Sequence, residues 1–596
     1  MRRLYSILFC LFVAMAAMAQ GWPKDYSGVM LQGFYWNSYA DTQWTRLEKQ
    51  ADDLAKVFDL VWIPQSGYCG GQSMGYDDLY WFTNYNSSFG TEEELRKMIA
   101  TFKEKGIGTI ADVVVNHRRN LSSWTDFPAE TYNGVTYQLT YNDICSNDEA
   151  AKNYQVGPNK DTGEGWDGMR DLDHKSENVQ NNVKAYLKFL LNDLGYTGFR
   201  YDMVKGYSAE YTKMYNEDSK PQFSVGECWD SSNTIKNWIE GTGKTSAAFD
   251  FQFRYTVRNA ANNGDWTQLG KQNEGNWPLV SAKNESGSYR QYAVTFVENH
   301  DTEKRADADQ DPLKKDTLAA NAYLLAMPGT PCVFLTHWKA YRQEIANMIT
   351  VRKAVGITNT SATTNLASAK GYYAAQTTGA NGKLLAVVGT NAAGYTPPAS
   401  GNWKKAISGY HYVYYVSDLD PATIVYPEIN TEEEKDGEYA GVPAFCTIEE
   451  GERCAFFEAP ISWGSQIFVW AWMDGGEGKD YLGAAWPGVN ATKLGTAENG
   501  NSVWKWNVTG TVNPDNIIFS GGGEQTGNLK FTNGGYYFGK EGLKTTVTTT
   551  AIRHINQENP DAVYTVYDLQ GRKVGTSRSS LNKGVYIVNK KKIIVR

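Results

Sequence analysis

The strongest constraint on the fold of this chain is a repeated alternation of short apolar runs with amphipathic stretches, from Gly28 to about Arg352. Short apolar runs between polar turns are typical of buried strands. Eight occur: Val29–Phe34, Leu60–Pro64, Thr109–Val115, Gly198–Asp202, Phe223–Glu227, Ala247–Phe251, Ala293–Val297 and Pro331–Leu335. Amphipathic stretches between several of them include Thr91–Lys105, Val179–Leu194 and Leu313–Met327. The alternation predicts an α/β fold, with a (β/α)8 TIM barrel over residues 20–354.

Three of these runs end in a carboxylate. Asp202 and Glu227 close the fourth and fifth runs, and Asp301 follows the seventh after a polar turn. In a parallel α/β barrel the C-terminal ends of the strands meet on one face, so we expect these side chains to lie together. Cleavage of a glycosidic bond uses one carboxylate as nucleophile and another as proton donor. The set is therefore a candidate glycosidase site.

The connection after the third run is unusually long. From His117 about fifty residues, rich in Asn, Asp, Gly and Tyr, precede the next amphipathic stretch. A loop of that length inside a compact domain is usually functional or a small domain of its own. We therefore predict a loop domain over about residues 118–175.

Beyond residue 355 the pattern changes to alternating, strand-like segments with Gly, Asn and Thr. This predicts antiparallel all-β domains of the β-sandwich type behind the barrel. The predicted parts are a small antiparallel domain at 355–418, an acidic linker at 419–444, a β module at 445–543 and a tail at 551–596.

The N-terminus has the pattern of a secretory signal. Arg2 and Arg3 precede an apolar stretch, and Ala17-Met18-Ala19 forms a small-residue cleavage site. We expect residues 1–19 to be removed and the protein to be secreted, either extracellular or on the cell surface. The sequence contains no other stretch that is long and apolar enough to span a membrane.

Charge and cysteine content exclude several classes of function. The net charge is -8 and the one notable basic run is Lys590–Lys592, which argues against nucleic-acid and anionic-membrane partners. Six cysteines follow the predicted signal, in no zinc-like spacing. Cys446 and Cys454 are close enough in sequence for export to permit a disulfide between them. The many aromatic residues, among them 19 Trp, suit either sugar binding or a large core.

The ordered motifs resemble those of the α-amylase family of glycoside hydrolases, most closely its plant-like and bacterial members. The resemblance covers about residues 25–418. The motifs that carry it are Leu31–Trp36, Gly75-Tyr76, Asp112–His117, Arg170–His174, Gly198–Asp202, Gly226-Glu227 and Phe296–Asp301. It implies endo-acting hydrolysis of α-1,4-glucosidic bonds in starch and maltooligosaccharides, with retention of configuration.

The resemblance also implies a role for each carboxylate. Asp202 matches the nucleophile, and Arg200, two residues earlier on the same strand face, would hold it ionised. Glu227 matches the general acid/base, whose pKa apolar neighbours would raise. Asp301 matches the third carboxylate, which grips sugar hydroxyls and favours an oxocarbenium-like transition state.

Four more residues match positions that contact the sugar. His117 and His300 match hydrogen-bond donors, and Tyr76 matches the ring stacked on the sugar. Lys205 matches a position on the leaving-group side. The alternative for either histidine is a core residue bonded to the backbone.

The resemblance further implies a Ca²⁺ cofactor. Asn116, Asp171 and the backbone of Gly206 match ligand positions, and Asp161 is an added candidate from the long loop. Calcium takes six to eight oxygen ligands, and a bound ion would order a loop with little apolar content. The alternative is a metal-free polar loop.

Residues 445–543 resemble a starch-binding module of the kind that follows many bacterial amylases. The matching segments are Ile467–Trp472, Ala485–Gly488, Ile517–Phe519, Gln525-Thr526 and Tyr536-Tyr537. Trp470, Trp472 and Trp486 are the candidate stacking rings, and Gln525 is the candidate polar contact. The alternative is that these tryptophans fill the core of the module.

The tail at 551–596 resembles the C-terminal sorting or anchoring domains of secreted Bacteroidetes proteins. Tyr567–Arg572 and Lys583–Val588 carry that likeness. We expect a monomer with the tail as a candidate surface anchor.

Two rival functions stay open at this point: an α-glucan transglycosylase of the same family, and a starch-binding surface protein without catalysis.

Overall fold

The computed structural model describes residues 21–284, 289–305, 310–430, 438–460, 463–464, 466–521 and 524–547, with four short strands beyond residue 565. The predicted signal peptide lies outside the described residues. The chain divides into two compact units, residues 1–433 and 434–596, and the boundary falls inside the segment predicted as a linker.

The first unit contains a closed barrel of eight parallel strands, which confirms the predicted fold. The strands are β1 Met30–Gln32, β2 Leu60–Ile63, β3 Gly108–Val113, β4 Gly198–Tyr201, β5 Phe223–Gly226, β6 Ala247–Phe249, β7 Ala293–Thr295 and β8 Thr330–Phe334. They follow one another around the barrel in chain order, and β8 pairs with β1 to close it. Almost every strand residue is buried, because helices cover the outside and side chains fill the inside, and this produces the apolar runs in the sequence.

Helices lie between and after these strands. They are α1 Trp44–Lys49, α2 Ala51–Ala55, α3 Glu92–Glu104, α4 Glu177–Phe189, α5 Ala209–Ser219, α6 Ser232–Gly241, α7 Phe251–Asn263, α8 Thr317–Ala326, α9 Leu335–Ala340 and α10 Arg342–Val355. The start of α3 shows how local sequence sets a boundary. The Thr91 hydroxyl accepts from the Glu94 backbone N–H at 3.3 Å, and the Glu94 carboxylate accepts from the Thr91 N–H at 2.8 Å. This reciprocal cap satisfies two backbone donors that the helix leaves without partners.

The long loop after β3 returns to its own starting point. His117–Arg118 pairs antiparallel with Arg170–Asp171, and a hairpin of Glu130–Tyr132 and Val135–Tyr137 lies between them. Buried ion pairs tie the loop internally, such as Arg118 with Glu130 at 2.8 Å. The loop therefore delivers both of its ends to the C-terminal side of β3.

A five-stranded antiparallel sheet follows the barrel in the same unit. Its strands are β9 Ala362–Ala369, β10 Tyr372–Thr378, β11 Lys383–Val388, β12 Lys404–Gly409 and β13 Tyr412–Ser417. They lie in the order β9-β10-β11-β13-β12. One face of this sheet joins the hydrophobic core of the barrel, through Tyr373, Leu384 and Tyr414 among others.

Residues 454–546 of the second unit form two five-stranded sheets. Its strands are β14 Cys454–Ala459, β15 Phe468–Trp472, β16 Val489–Asn490, β17 Thr492–Thr496, β18 Ser502–Asn507, β19 Asn516–Gly521, β20 Glu524–Gln525, β21 Leu529–Lys530, β22 Gly535–Phe538 and β23 Gly542–Thr546, with a short helix α11 Gly478–Leu482. The sheet orders are β17-β18-β14-β22-β23 and β16-β15-β19-β20, and β21 also pairs with β19. Residues of both sheets, such as Phe457 and Phe519 with stacked rings 4.4 Å apart, form one core. The pairing is antiparallel except between β14 and β22, which run parallel.

The C-terminal tail has four described strands, β24 Val566–Tyr567, β25 Lys573–Gly575, β26 Gly584–Val588 and β27 Lys591–Val595. They form one antiparallel sheet in the order β25-β24-β26-β27.

The disulfide that the sequence permits between Cys446 and Cys454 is absent. Both side chains are free, buried thiols in the same small apolar cluster of the second unit. The cluster is held by packing with Phe456 and Tyr536, so the two cysteines contribute as small apolar side chains. A search of the described helices finds none with the length and apolar character needed to cross a membrane.

Candidate active site

The three predicted carboxylates lie at the C-terminal ends of their strands. Asp202 directly follows β4 and Glu227 directly follows β5, while Asp301 comes after the turn behind β7. Together they line one cleft of about 320 Å³. The other lining residues are Trp36, Tyr76, His117, Trp166, Met203, Trp229 and Gln310.

One buried arginine connects the carboxylates. Arg200 donates from Nη1 to Asp202 Oδ1 at 2.6 Å and to Asp112 Oδ1 at 2.8 Å, and its Nη2 lies 2.9 Å from Glu227 Oε2. Arg200 is 1% exposed and is not part of the cleft wall, so it acts from beneath the carboxylates and not on a substrate directly.

Burial raises the pKa values of the three carboxyl groups, because the single positive charge of Arg200 does not compensate for it at all of them. Burial raises the pKa of Asp202 to about 6, against the lowering effect of Arg200. Burial raises the pKa of Glu227 to about 7, and the neighbouring Asp202 adds to that rise. Burial together with the charge of Glu227 raises the pKa of Asp301 to about 7. Burial therefore raises the pKa of all three carboxyl groups, while the bond from Arg200 favours the ionised form of Asp202.

Glu227 is also oriented by the backbone. The Met203 N–H donates to Glu227 Oε2 at 3.0 Å. Met203 has φ +43°, a left-handed conformation that few non-glycine residues adopt. The turn after β4 thus carries Asp202 and fixes the next carboxylate at the same time.

His300 has a fixed position behind Asp301. Gln32 Nε2 donates to His300 Nδ1 at 2.9 Å, so the ring hydrogen is on Nε2, which faces the Tyr76 hydroxyl at 2.6 Å and Asp301 Oδ2 at 3.1 Å. Burial lowers the His300 pKa well below its ordinary value, so the ring is neutral. The Tyr76 hydroxyl donates in turn to Asp112 Oδ2 at 3.0 Å.

Aromatic rings form one wall of the cleft. Tyr76 and Trp36 are parallel, with ring centroids 6.0 Å apart and an interplanar angle of 4°. His117 lies 4.5 Å from the ring of Trp166 on the long loop. Its Nε2 donates to the Tyr76 carbonyl at 3.0 Å, and its Nδ1 accepts from Asn116 at 3.3 Å. A sugar oxygen would therefore have to share the His117 N–H with that carbonyl.

Lys205 lies outside the set of cleft-lining residues. It pairs with Asp230 and with Glu164, each at 3.1 Å. These contacts join the turn after β4 to the segment after β5 and to the long loop.

The candidate calcium ligands come together at the base of the long loop. Asn116 and Gly206 are in close contact, since a Cβ on Gly206 would lie 1.8 Å from Asn116 Oδ1. Residues 163–164 of the long loop contact the turn that contains Gly206, where the Glu164 N–H donates to the Lys205 carbonyl at 2.9 Å.

Two acidic oxygens at this place have no partner. Asp171 Oδ1 and Asp161 Oδ2 are buried and accept no hydrogen bond within the described residues. Burial and the charge of Asp161 raise the pKa of Asp171 to about 7. The described part of the chain holds no group of three His, Cys, Asp or Glu side chains suited to a metal ion. Two carboxylates, an amide and a backbone carbonyl fit calcium, which takes mixed oxygen ligands.

In the second unit, the candidate stacking rings are on the surface of their sheet. Along β15, Val469 and Ala471 point into the core, whereas Trp470 and Trp472 are half-buried on the opposite face. Trp486 is 50% exposed, and its ring lies edge-on to Trp470 at 5.7 Å. Gln525 is exposed on the short edge strand β20.

Some residues in and beneath the cleft were not among the predicted site residues. Asp112 belongs to a quoted motif, but its bond to Arg200 joins two different strands. Trp36 ends the Leu31–Trp36 motif, so adjacency to a motif was an available signal for this residue. Trp166 gives no such signal, because its place above His117 depends on the path of the whole loop.

The family model and the similar proteins that match this chain point to the same family. A family model described as the α-amylase catalytic domain matches residues 68–337. Probable alpha-amylase 2 of Arabidopsis thaliana is 30% identical over 419 residues, which covers 66% of this chain and 94% of that protein. The glucan 1,4-alpha-maltotetraohydrolase of Roseateles saccharophilus is 27% identical over 451 residues, covering 68% of this chain and 76% of that protein.

Among solved structures, the γ-CGTase of alkalophilic Bacillus clarkii aligns with a TM-score of 0.50 at 14% identity. The alignment covers 91% of this chain and 87% of that chain. This likeness concerns the fold alone.

Proposed function

This chain is a glycoside hydrolase of the α-amylase family, and we propose that it hydrolyses α-1,4-glucosidic bonds of starch and maltooligosaccharides, within the chain and with retention of configuration. The observation that carries the proposal is the attachment of Asp202 and Glu227 to adjacent nitrogens of one guanidinium. Carboxylates held this way are close neighbours. Retaining enzymes need such a short separation, whereas inverting enzymes leave room for a water molecule.

In the first step Asp202 is the nucleophile. One of its oxygens attacks the anomeric carbon while Glu227 gives its proton to the glycosidic oxygen, and the leaving sugar departs with that proton. The pKa of about 7 keeps Glu227 protonated in mildly acidic solution, and Arg200 favours the ionised form of Asp202. In the second step Glu227 takes a proton from water, whose oxygen attacks the anomeric carbon and releases Asp202.

The surrounding residues position the sugar. Asp301 stabilises the positive charge that develops on the ring, beside the neutral His300 as a donor. Tyr76 and Trp36 present an aromatic wall for stacking. Lys205 lies outside the cleft-lining set, and its proposed role on the leaving-group side rests on the resemblance to the family.

We also propose that Ca²⁺ binds through Asn116, Asp161, Asp171 and the Gly206 carbonyl. The two unpartnered buried carboxylate oxygens support this assignment. Bound calcium would neutralise the acidic pair and tie the long loop to the turn that carries Asp202. The role is structural, because none of the four proposed ligand residues lines the cleft.

The second unit is proposed to bind starch. Trp486 and Trp470 offer apolar ring faces at the surface, and Gln525 offers hydrogen bonds to sugar hydroxyls. Docking of the unit would raise the effective substrate concentration for the barrel.

We propose that the chain is exported after removal of residues 1–19, with the tail as a surface anchor. The mass of the mature N-terminus and cell fractionation test these points.

An assay of reducing sugar on soluble starch, with products separated by chromatography, tests the function. We expect a steady rise in reducing ends and a fall in chain length. Transfer products longer than the substrate, without net reducing ends, would identify a transglycosylase. No change in either quantity would identify a non-catalytic glucan-binding protein.

A further inference from the structure

A hydrogen bond beside the cleft joins the loop after β1 to the loop after β7. The backbone N–H of Trp36 donates to Glu303 Oε1 at 2.8 Å, although the two residues are 267 positions apart in the chain. Trp36 lines the cleft, whereas Glu303 is not among the described residues that line it. Glu303 comes two residues after Asp301, so the loop that carries a site carboxylate also holds Trp36.

The ring that this bond holds is part of the aromatic wall. The Trp36 ring is nearly parallel to the rings of Tyr76 and His300, with interplanar angles of 4° and 13°. The Arg305 guanidinium lies 4.5 Å from the centroid of the Trp36 ring. Trp36 is half-buried, so part of its ring is open to a ligand. Stacking on a sugar depends on the angle of the ring face, and the backbone of Trp36 sets that angle.

The turn around Trp36 is otherwise closed mainly on itself. The Tyr35 N–H donates to Ser38 Oγ at 3.2 Å, and the Ser38 N–H donates to the Tyr35 carbonyl at 3.1 Å. Asn37 has φ +61°, the left-handed conformation that such a tight turn requires. These bonds fix the shape of the turn but not its angle to the cleft. The bond to Glu303 anchors it to the opposite loop.

Glu303 is itself held by a short turn after β7. The Glu303 N–H donates to the Asn299 carbonyl at 3.0 Å, and the Asp301 N–H donates to Asn299 Oδ1 at 3.0 Å. Burial raises the pKa of Glu303 to about 7, against the lowering effect of the Trp36 N–H. A carboxyl group keeps an acceptor oxygen in either protonation state. The anchor therefore does not require the charge of Glu303.

We propose that Glu303 is a positioning residue that holds the Trp36 ring against the bound sugar by accepting the Trp36 backbone N–H. This rests on the proposed function, which places a glucan in the cleft. Trp36 has no acid or base group, so its stacking stabilises the ground state and the transition state alike. Loss of its position should therefore raise KM and leave kcat unchanged. An action of the Glu303 charge on Asp301 would instead change kcat.

Steady-state kinetics of the full-length chain on maltoheptaose test the positioning role. Glu303→Ala should raise KM about tenfold, as expected for the loss of one hydrogen bond, with kcat within about twofold of the wild type. Lys304→Ala, at the exposed neighbour of Glu303, is the matched control and should leave both constants unchanged. In a Trp36→Ala background, Glu303→Ala should raise KM no further, because both substitutions remove the same contact.

Two conservative variants separate the hydrogen bond from the charge. Glu303→Gln keeps an acceptor oxygen at the same reach without the charge, and should restore the wild-type KM. Glu303→Asp keeps the charge but shortens the side chain, and should raise KM as Glu303→Ala does. The reverse pattern, a fall in kcat at constant KM, or a further rise in KM in the Trp36→Ala background would overturn the proposal.

Hydrogen–deuterium exchange distinguishes this proposal from the proposed function. In a Glu227→Gln chain, which prevents turnover, maltoheptaose should slow exchange in a peptide that covers residues 30–41. Glu303→Ala should raise the concentration for half-maximal protection about tenfold in that background. If it does so while the wild-type chain releases no reducing sugar from starch, the proposed function fails and the positioning role stands. If starch is hydrolysed but maltoheptaose gives this peptide no protection, the positioning role is overturned and the proposed function stands.

Discussion

The catalytic cleft and the tryptophan face of the second unit are proposed to bind the same polymer, with opposite kinds of surface. In the cleft, Arg200 is 1% exposed and holds carboxylates whose pKa values burial has raised. On the second unit, Trp486 is 50% exposed and its ring lies edge-on to that of Trp470. Bond cleavage needs groups removed from water, since only there do their pKa values shift enough for acid catalysis. Adhesion to a polymer needs rings that remain exposed.

We expect one substitution in the cleft to remove catalysis and to leave adhesion to starch intact. Glu227→Gln should lower kcat on soluble starch by about 10²–10⁴-fold, the usual contribution of a positioned general acid. Binding to granular starch in a pull-down should be unchanged. Asp52→Asn, at an exposed aspartate of α2, is the control for both assays. A Glu227→Gln chain that retains a tenth or more of wild-type activity would exclude Glu227 as the proton donor.

Calcium should stabilise the first unit against unfolding and leave the stability of the second unit unchanged. Binding to the folded state alone adds about 2.7 kcal/mol at a free concentration one hundred times Kd. Chelator should therefore lower the melting temperature of the first unit and leave the unfolding of the second unit unchanged, as followed by calorimetry.

Asp171→Asn should abolish that response, whereas Asp167→Asn, an exposed aspartate of the same loop, should preserve it. The calcium assignment would be contradicted by a melting temperature that chelator does not change, together with elemental analysis that finds no bound metal.

The pH dependence should distinguish catalysis from adhesion. Asp202 must be ionised to attack, and its pKa of about 6 means that kcat/KM falls about tenfold per pH unit below that value. Glu227 must be protonated to donate, and its pKa of about 7 means that the rate falls as pH rises above that value. Starch binding through Trp486 involves no titrating group and should stay flat over the same range. Equal pH profiles for hydrolysis and binding would contradict this division.

The smallest expected effect is on adhesion. Trp486→Ala should lower activity on granular starch severalfold and leave activity on short maltooligosaccharides unchanged, because only tethering is lost. Val512→Ala, at another exposed apolar residue of the second unit, is the matched control. Equal loss on both substrates would show that Trp486 matters for folding and not for granule binding.

The barrel could be predicted from sequence because its strands are buried on both faces and therefore appear as apolar runs. Asp202, Glu227 and Asp301 were found together because each follows such a run. The pairing of Arg200 with Asp202 could be predicted, but the second bond of Arg200 could not, since Asp112 lies on another strand, 88 residues away in the chain. Gln32, which fixes the His300 ring, is 268 residues from it.

Loop geometry and cysteine pairing were harder still. Trp166 lies over His117 only because the long loop folds back on β3, and no periodicity in that loop indicates it. Cys446 and Cys454 are close in sequence and export would permit a disulfide between them, but both are free, buried thiols that pack with Phe456 and Tyr536.

The central claim is that Asp202 and Glu227 act as a retaining pair, and the anomeric form of the first product tests it most directly. Proton NMR of a maltooligosaccharide digest at early times resolves the α and β anomers before mutarotation mixes them. For a retaining pair, new reducing ends should appear first as the α anomer and equilibrate later. Initial accumulation of the β anomer would contradict the retaining mechanism.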